Sequence, residues 1–327
     1  MCPAAAGRSL LGMQVPKHGR LGVDDLPRNT TIAHRSKRFL NQFLQMHGLA
    51  GLPAGAAHLF LNNASRRNAL SLTVLRDLSA QLKKHLTSPS TGRLLTLPRF
   101  RPGLLKELES ARGAKHARFR WLCDESEWRR ERNGLVRVLV LSSHGPVFSS
   151  GHDLREVSAM SSEERKVLFN TCAEVMSLIR QSPVPVVCAV QGLATAAGFQ
   201  LAMACDITIA RASTEFQLPG MSIGLPCTSL STAVSRRIPA GLAYRMFATA
   251  QPMRADQLGG AVDVVRSAAE VALDERVMET VSRLVAMPGQ AQALGKWAFW
   301  TQADITAGER GDGFQEAAEW ASDAMVR

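Results

Sequence analysis

Two glycine-containing segments are the parts of this sequence best suited to chemistry. "FSSGHD" at 148–153 and "GLATAAG" at 192–198 each follow an apolar run that predicts a buried strand, and their small residues let a ligand approach the main chain. Where a helix begins at such a junction, its first N–H groups lack intrahelical acceptors and lie at its positive end. Two such junctions facing each other would hold a developing oxyanion, with each donor worth about 10²- to 10³-fold in rate. The alternative is structural, because glycine-rich junctions also let α/β sheets pack tightly.

The side chains around these junctions are weak candidates for acid–base or nucleophilic catalysis. His152 has a side chain that can titrate near neutral pH, and Asp153 adjoins it, but Asp153 is predicted to cap a helix or to form an ion pair. Cys227, Thr228 and Ser229 follow a Gly-Leu-Pro turn, and a nucleophile there would need a base within hydrogen-bond reach. The sequence identifies no such base, so packing or loop polarity is the favoured interpretation of these three residues.

The hydrophobic pattern predicts an α/β body that positions both junctions. Strands are predicted at 57–63, 135–143, 183–192 and 206–213. The middle two are near-continuous apolar runs, which is typical of a sheet buried on both faces. Leucines at helical spacing after Ser71 predict a helix capped by that serine, and a second helical pattern spans 161–180. Strands alternating with helices indicate an α/β fold, whereas the pattern after residue 252 predicts helices and little strand.

Charge is distributed unevenly along the 327 residues. The formal net charge is +11, but residues 1–50 hold seven Lys/Arg against two Asp, and residues 83–132 hold thirteen against six acids. The remainder is therefore nearly neutral. The basic stretches lack interleaved aromatic residues and recognisable modules, so no nucleic-acid partner is predicted. The six cysteines show no paired metal-ligand spacing, which favours reduced, buried thiols and no metal site.

The chain is predicted to comprise three regions: a basic segment over 1–55, a core over 56–250 and a helical region over 251–327. The first contains "HRSKRFLNQFLQMHGL" and resembles an amphipathic mitochondrial presequence, with a disordered basic tail as the alternative. Residues 181–205 are uncharged and long enough to span a membrane, but prolines and polar residues interrupt the run. We therefore predict a buried strand and a buried helix there, and no membrane span.

Residues 87–133 interrupt the core with no sustained hydrophobic period. A structureless connection of this length is unusual inside a compact domain. The segment is predicted to be an inserted, largely exposed loop whose removal leaves the fold intact, because loop length adds little closure cost. A mis-predicted exon is the alternative.

Four motifs carry a resemblance to a known family. "LNNASRRNALS", "GPVFSSGHDLRE", "VPVVCAVQGLATAAGFQLAMACDITIA" and "FQLPGMSIGLP" occur in the order and spacing of the enoyl-CoA hydratase/isomerase family, the crotonase superfamily. The resemblance implies a crotonase-like spiral of ββα units with a C-terminal helical region that forms homotrimers or dimers of trimers. It also implies an acyl-CoA thioester ligand in the mitochondrial matrix, with coenzyme A as part of the substrate and no separate cofactor. The C-terminal region is predicted to be truncated, because family members continue through another helix.

The family's functional residues transfer by position. The thioester oxygen would be bound by the backbone N–H groups of His152 and Ala197. The segment that would contact coenzyme A comprises Arg66, Arg67, Asn68 and Ala69, whose basic side chains suit phosphates.

At two positions this sequence differs from the hydratases of the family. Where the family has two glutamates, this sequence has Gln200 and Gly220. A carboxamide has no useful pKa near neutrality and glycine has no side chain, and the loss of positioned acid–base catalysis costs about 10²- to 10⁴-fold. The sequence therefore predicts an acyl-CoA-binding protein that retains enolate stabilisation, for thioester hydrolysis, decarboxylation or isomerisation. The second hypothesis is a non-catalytic acyl-CoA sensor or assembly partner, and the third is a chain without a stable fold.

Overall fold

Eight strands in two sheets organise the computed structural model, which describes residues 51–99, 117–225, 231–269 and 271–306. The larger sheet contains β1 (Ala56–Leu61), β2 (Val138–Ser143), β3 (Val186–Val190), β5 (Ile207–Arg211) and β8 (Asp263–Val265). The smaller sheet contains β4 (Leu193–Thr195), β6 (Glu215–Gln217) and β7 (Met253–Arg254). The larger sheet is parallel throughout, in the order β1-β2-β3-β5-β8. In the smaller sheet β4 and β6 are parallel, while β6 and β7 are antiparallel.

Ten α-helices surround these sheets in the described part of the chain. They are α1 (Leu72–Leu86), α2 (Ala117–Cys123), α3 (Glu125–Glu131), α4 (Leu154–Ala159), α5 (Ser162–Gln181), α6 (Ala197–Ala204), α7 (Ser231–Ser235), α8 (Ala240–Thr249), α9 (Ala272–Ala286) and α10 (Gly289–Thr306). The predicted cap of α1 is confirmed, because the Ser71 hydroxyl accepts a hydrogen bond from the N–H of Val74. A capping box formed by Ser161 and Glu164 begins α5 and satisfies N–H groups that the helix itself cannot pair.

The two faces of the larger sheet are covered by different helices. Alternate residues of β2 point to opposite sides: Leu139 and Leu141 join the main core with α1, α5 and α6, whereas Val138 and Val140 pack with α9. Every residue of β2 and β3 is buried. Burial on both faces explains why these strands are continuous apolar runs rather than alternating ones, and it confirms the α/β prediction.

The apolar stretch over 181–205 forms the end of α5, then β3, β4 and α6. All eight residues of α6 are buried, so the predicted buried strand and buried helix are confirmed. In the described part of the chain, no helix has both the length and the apolar character that spanning a bilayer requires.

The region after residue 252 contains strands that the sequence pattern did not predict. β7 and β8 are two and three residues long, which is too short for a period-2 pattern to be visible. β8 nevertheless extends the larger sheet by pairing with β5. The prediction of helices with little strand was therefore wrong for 253–265 and right for α9, while the last part of the predicted helical region, 307–327, lies outside the described residues.

The described parts of the 87–133 segment pack into the protein. A small core buries Leu95, Leu97, Trp121, Leu122 and Ala293. The Trp297 indole N–H on α10 donates to the Pro98 carbonyl oxygen at 2.8 Å, and the Leu97 N–H donates to the carbonyl oxygen of Gln181 at 2.7 Å.

The predicted largely exposed loop is thus wrong for 87–99 and 117–133. The sequence concealed this packing because the segment's few apolar residues pair with a helix far along the chain. With this cluster in place, removal of the segment is expected to expose the apolar face of α10 instead of leaving the fold intact.

Candidate functional site

The two glycine-containing junctions lie side by side. The N–H of Ser149 donates to the carbonyl oxygen of Leu193 at 3.3 Å, and the N–H of Thr195 donates back to the carbonyl oxygen of Ser149 at 3.0 Å. The chain after β2 therefore runs parallel to β4. The predicted proximity of the two junctions is a feature of the fold, and it is built from main-chain hydrogen bonds.

Gly151 is the point of closest approach between the junctions. Its φ is +80°, and a Cβ atom at this position would lie 2.7 Å from the Ala196 Cβ and 3.2 Å from the Ala197 nitrogen. Both the backbone angle and the contact require glycine. Gly198 is equally constrained, because a Cβ there would lie 2.5 Å from the Cβ of Ser149. These glycines allow the two main chains to touch.

Two backbone N–H groups beside this contact have no acceptor among the described residues. One belongs to His152, which follows Gly151, and the other to Ala197, the first residue of α6. Ala196 fixes the turn before α6 through its own N–H, which donates to the Gln217 carbonyl oxygen at 2.9 Å. Unpaired N–H groups at a helix start attract a negatively charged oxygen.

Gln200 and Gly220, the two positions at which the resemblance implies glutamates in the family, carry no titratable group. Gln200 is 4% exposed, and its side-chain oxygen Oε1 is buried without a partner among the described residues. Residues three apart share a helix face, so Gln200 lies on the same side of α6 as Ala197. Gly220 is buried in the 3-10 helix Pro219–Ile223, three residues after Gln217 in the chain. Neither position can exchange a proton near neutral pH.

The side chain of His152 is poorly suited to acid–base catalysis. Its Nε2 is buried without a partner among the described residues, although the residue as a whole keeps some solvent exposure. The ring meets the edge of the Phe169 ring, with centroids 4.9 Å apart. Burial lowers the pKa of His152 to about 4, so the imidazole is neutral at pH 7 and is a weak base.

The acids nearest to this site have structural roles. Asp153 accepts hydrogen bonds from the N–H groups of Arg155 and Glu156 and thereby caps α4, and it pairs with Arg66 at 2.9 Å. Burial raises its pKa, but the hydrogen bonds from Arg66 and the two N–H groups outweigh this effect and lower it overall. The carboxylate of Glu156 in turn accepts from the N–H of Leu72 at the start of α1. The prediction that Asp153 caps or pairs is confirmed.

The structure brings residues 66–69 against the first junction. The N–H of Ser150 donates to the Arg67 carbonyl oxygen at 3.0 Å. Asn68 is buried, and its side-chain nitrogen donates to the carbonyl oxygens of His144 and Val147 at 2.7 and 2.8 Å. Asn68 therefore fixes the loop, and its amide nitrogen is fully used within the protein. The side chain of Arg66 is 59% exposed beside Asp153 and is open to a ligand's anionic groups.

Sequence reasoning missed two polar residues of this site. The hydroxyl of Ser149 donates to the Asn68 carbonyl oxygen at 2.8 Å and accepts from the N–H of Gly151 at 3.2 Å. The Thr195 hydroxyl is buried without a partner among the described residues. The sequence did offer one signal for both residues, because each is a hydroxyl-bearing residue within a glycine-containing junction.

Other sequence-predicted groups lie elsewhere. Cys227, Thr228 and Ser229 are outside the described residues. The thiols of Cys172, Cys188 and Cys205 are buried and unpaired by disulfides, whereas Cys123 is exposed. Burial raises the pKa of Cys172 to about 12. Over the described ranges, no group of three or more His, Cys, Asp or Glu side chains is arranged to hold a metal ion.

With this geometry in place, comparison with known proteins defines the class. Residues 128–314 match the enoyl-CoA hydratase/isomerase family, and the chain belongs to that family. It is similar to the mitochondrial enoyl-CoA hydratase domain-containing protein 3 of Rattus norvegicus, with 32% identity over 249 residues, which is 76% of this chain and 68% of the relative.

Solved structures of the family share the fold. The crystal structure of human enoyl coenzyme A hydratase domain-containing protein 3 is 30% identical, with a TM-score of 0.58 over 77% of this chain and 82% of that one. An enoyl-CoA hydratase of Mycobacterium smegmatis is also 30% identical, with a TM-score of 0.57 over 84% and 89% of the two chains. The predicted crotonase-like fold with C-terminal helices is confirmed.

Proposed function

We propose that this protein binds acyl-CoA thioesters in mitochondrial fatty-acid and acyl-CoA metabolism, with the thioester oxygen held by the N–H groups of His152 and Ala197. One observation carries the proposal: these N–H groups lie beside the contact between Gly151 and Ala197, and neither has an acceptor among the described residues. Family membership supports the ligand class, and the mitochondrial names of the relatives support the compartment.

The chemistry of such a site is stabilisation of negative charge on the thioester oxygen. An enolate or a tetrahedral oxyanion carries more charge there than the ground-state carbonyl, so fixed N–H donors favour the transition state. Efficient hydration also requires groups that remove and deliver protons, and Gln200 and Gly220 cannot do so. We therefore favour thioester hydrolysis, decarboxylation or isomerisation over hydration.

Coenzyme A enters this proposal as part of the ligand, with no separate cofactor. Arg66 and Arg67 lie on the segment packed against the first junction, where cationic side chains suit the phosphates of the nucleotide. Asn68 and Ala69 would contribute by holding the backbone of that segment in place. Assembly into a homotrimer or a dimer of trimers remains a prediction from the family resemblance.

A second function is favoured by the neutrality of the site. Gln200 and Gly220 have no charge, His152 is a weak base, and Asp153 and Glu156 are bound to backbone N–H groups. A protein of this kind can hold a thioester as a sensor or assembly partner without converting it. Turnover of a panel of acyl-CoA thioesters separates the two functions: tight binding without product identifies the sensor.

Replacing Ala197 with proline tests the N–H donor directly. Proline is tolerated at the first position of a helix but removes its N–H, and it also restricts the preceding residue, whose φ here is +52°. The change is therefore made on an Ala196→Gly background, with Ala196→Gly alone as the control. We expect about three- to tenfold weaker binding of butyryl-CoA by calorimetry. Any turnover is expected to fall about 10²-fold.

The comparison is valid when circular dichroism shows equal helix content in the two variants. Equal affinity for butyryl-CoA in both would contradict the assignment of Ala197 as a donor.

A further inference from the structure

The C-terminal end of helix α6 is held by the side chain of Arg237, which follows α7 in the chain. The last carbonyl groups of an α-helix have no N–H partner within the helix. Here the Nη1 atom of Arg237 donates to the carbonyl oxygen of Cys205, directly after α6, at 2.6 Å and to that of Met203 at 3.4 Å. Its Nη2 atom donates to the carbonyl oxygen of Ala261 at 3.1 Å. One side chain therefore attaches the end of α6 to the segment that precedes β8.

Helix α6 depends on such contacts from its surroundings. All eight of its residues are buried, with no acid in the first turn and no base in the last. Ala196, which precedes the helix, provides no side-chain cap. A helix of this length is too short to be stable through its own hydrogen bonds. A cation at the C-terminal end also interacts favourably with the helix dipole, and Arg237 supplies one there.

The opposite end of α6 is strained and carries the candidate thioester donor. Ala196 has a φ of 52° and a ψ of −126°, a conformation that persists only where the surrounding structure enforces it. The next N–H, that of Ala197, has no acceptor among the described residues. The eight residues of α6 span about 12 Å at a rise of about 1.5 Å per residue. Because backbone hydrogen bonds make this short helix one rigid unit, a displacement at Cys205 moves the N–H of Ala197 as well.

We propose, on the basis of the function proposed above, that Arg237 is a positioning residue for the thioester site. Its contacts lie at the end of α6 opposite to Ala197, so it acts through the helix and not on the ligand. By fixing the carbonyl groups of Met203 and Cys205, it keeps the N–H of Ala197 aligned with the N–H of His152. Fixed donors stabilise negative charge only in the right orientation, and a displacement of about 1 Å lowers a rate about 10²-fold. Loss of Arg237 therefore affects the polarisation of the thioester carbonyl more than the affinity for the ligand.

The test measures donor alignment without requiring turnover. A hydrogen bond to a carbonyl oxygen weakens the C=O bond and lowers its stretching frequency. Infrared difference spectra of bound butyryl-CoA, with and without a carbon-13 label at the carbonyl, isolate this band. We expect binding to lower the frequency in the unaltered full chain, and Arg237→Met to lose about half of this shift or more. The affinity of Arg237→Met for butyryl-CoA by calorimetry should stay within about threefold of the unaltered protein.

Two further variants make the measurement decisive. Val277→Ala is the control, because it truncates a buried side chain of α9 on the other face of the larger sheet. This control should lower stability and keep the full shift. Thr208→Val removes a second donor at the same end of α6, since the Thr208 hydroxyl donates to the carbonyl oxygen of Ala202 at 2.7 Å. It nearly preserves the shape of the side chain, should lose a smaller part of the shift, and decides the test if Arg237→Met does not fold.

The outcomes separate this inference from the function on which it rests. A full shift in Arg237→Met, or in Thr208→Val where the first variant does not fold, overturns the positioning role and leaves acyl-CoA binding intact. An equal loss of the shift in Val277→Ala does the same, because the effect would then be one of general stability. Binding of butyryl-CoA to the unaltered protein without any shift overturns the N–H pair together with the role of Arg237. Failure of butyryl-CoA to bind overturns both proposals.

Discussion

Ala196 has a backbone conformation that suits glycine. Its φ of 52° and ψ of −126° are rarely adopted by residues with a side chain, and such a conformation costs about 1–3 kcal/mol. The cost is tolerated because the turn places the N–H groups of α6 beside Gly151. The strain at Ala196 therefore lowers the free energy of unfolding, and contacts from neighbouring residues hold the turn in this conformation.

Replacing Ala196 with glycine is expected to stabilise the protein. Relief of strain exceeds the added entropy of the unfolded chain by about 1 kcal/mol, and urea unfolding measures the change. The control is Ala202→Gly in the middle of α6, which should lower the free energy of unfolding by about 1 kcal/mol or more. A loss of stability in Ala196→Gly similar to the control would show that the turn is unstrained in solution.

Placing carboxylates at positions 200 and 220 tests the expectation, taken from the family resemblance, that this site lacks only an acid–base pair for hydration. Gly220 lies in a 3-10 helix, where φ is negative, so a glutamate at this position requires no change in backbone conformation. We expect Gln200→Glu combined with Gly220→Glu to raise crotonyl-CoA hydration about 10²-fold or more over the parent. Gly220→Gln is the matched control, because it adds the same bulk without a titratable group.

The hydration assay also has an outcome that favours the sensor. A double variant that folds, binds acyl-CoA and gains no activity over Gly220→Gln would indicate that the N–H pair is misaligned for catalysis. In that case the protein holds thioesters without the geometry to convert them.

At the scale of helices and strands, the sequence pattern predicted the elements whose formation depends on neighbouring residues in the chain. The leucine spacing and the Ser71 cap were sufficient for α1, and burial on both faces made β2 and β3 recognisable. β7 and β8 were missed because a strand of two or three residues is defined by its partner, not by its own sequence. The same distinction between local pattern and distant partners applies to the residues of the candidate site.

Within the site, sequence identified segments better than it identified partners. The two junctions were predicted from the residue pattern, whereas the roles of His152, Ala197 and Gln200 are expectations from the family resemblance. That Asp153 pairs with Arg66, and that Thr195 is left unpaired, depends on distances between segments far apart in the chain. Hydrogen-bond partners of this kind have no signature in a single sequence, whereas a buried strand that ends in glycine has one.

The C-terminal helix α10 is attached to the body by two sets of contacts. Lys296 is buried and donates to a carboxylate oxygen of Asp206 at 2.7 Å and to the carbonyl oxygen of Ile179 at 3.0 Å. The other carboxylate oxygen of Asp206 accepts from the Trp300 indole at 2.8 Å. On its other side, α10 packs against the described ends of the 87–133 segment. The described ends of this segment thus support α10.

Trp121 is the residue that tests this support. It is 2% exposed and stacks on Trp128 with ring centroids 5.6 Å apart. Trp121→Ala should lower the free energy of unfolding by about 3–5 kcal/mol, the usual cost of truncating a buried tryptophan. Phe299→Ala on α10 is the control, because Phe299 is 62% exposed and should change stability by less than about 1 kcal/mol. If urea unfolding shows that both variants lower the free energy of unfolding by less than about 1 kcal/mol, residues 87–133 would be an appended loop, as the sequence predicted.

For the molecule as a whole, the location of charge matters more than its sum. The net charge of +11 comes from residues 1–50 and 83–132, and the remaining sequence is close to neutral. A nearly neutral body fits the proposal that local groups such as Arg66 bind the phosphates of the ligand. The strongly basic N-terminal segment then requires a separate explanation, and many arginines with few acids are the composition that a mitochondrial targeting segment is expected to have.

The last prediction concerns this segment. A reporter fused to residues 1–55 is expected to accumulate in mitochondria, because the sequence "RSKRFLNQFL" has the basic and apolar spacing of an amphipathic transit peptide. The matched control replaces Arg35, Lys37 and Arg38 with glutamine, which keeps the length and the apolar residues while removing three charges. Confocal imaging with a matrix marker should show co-localisation for the first fusion and a largely cytosolic signal for the second. A diffuse cytosolic signal for both would mean that the segment is a basic tail, and the proposed mitochondrial function would then rest on similarity to the relatives alone.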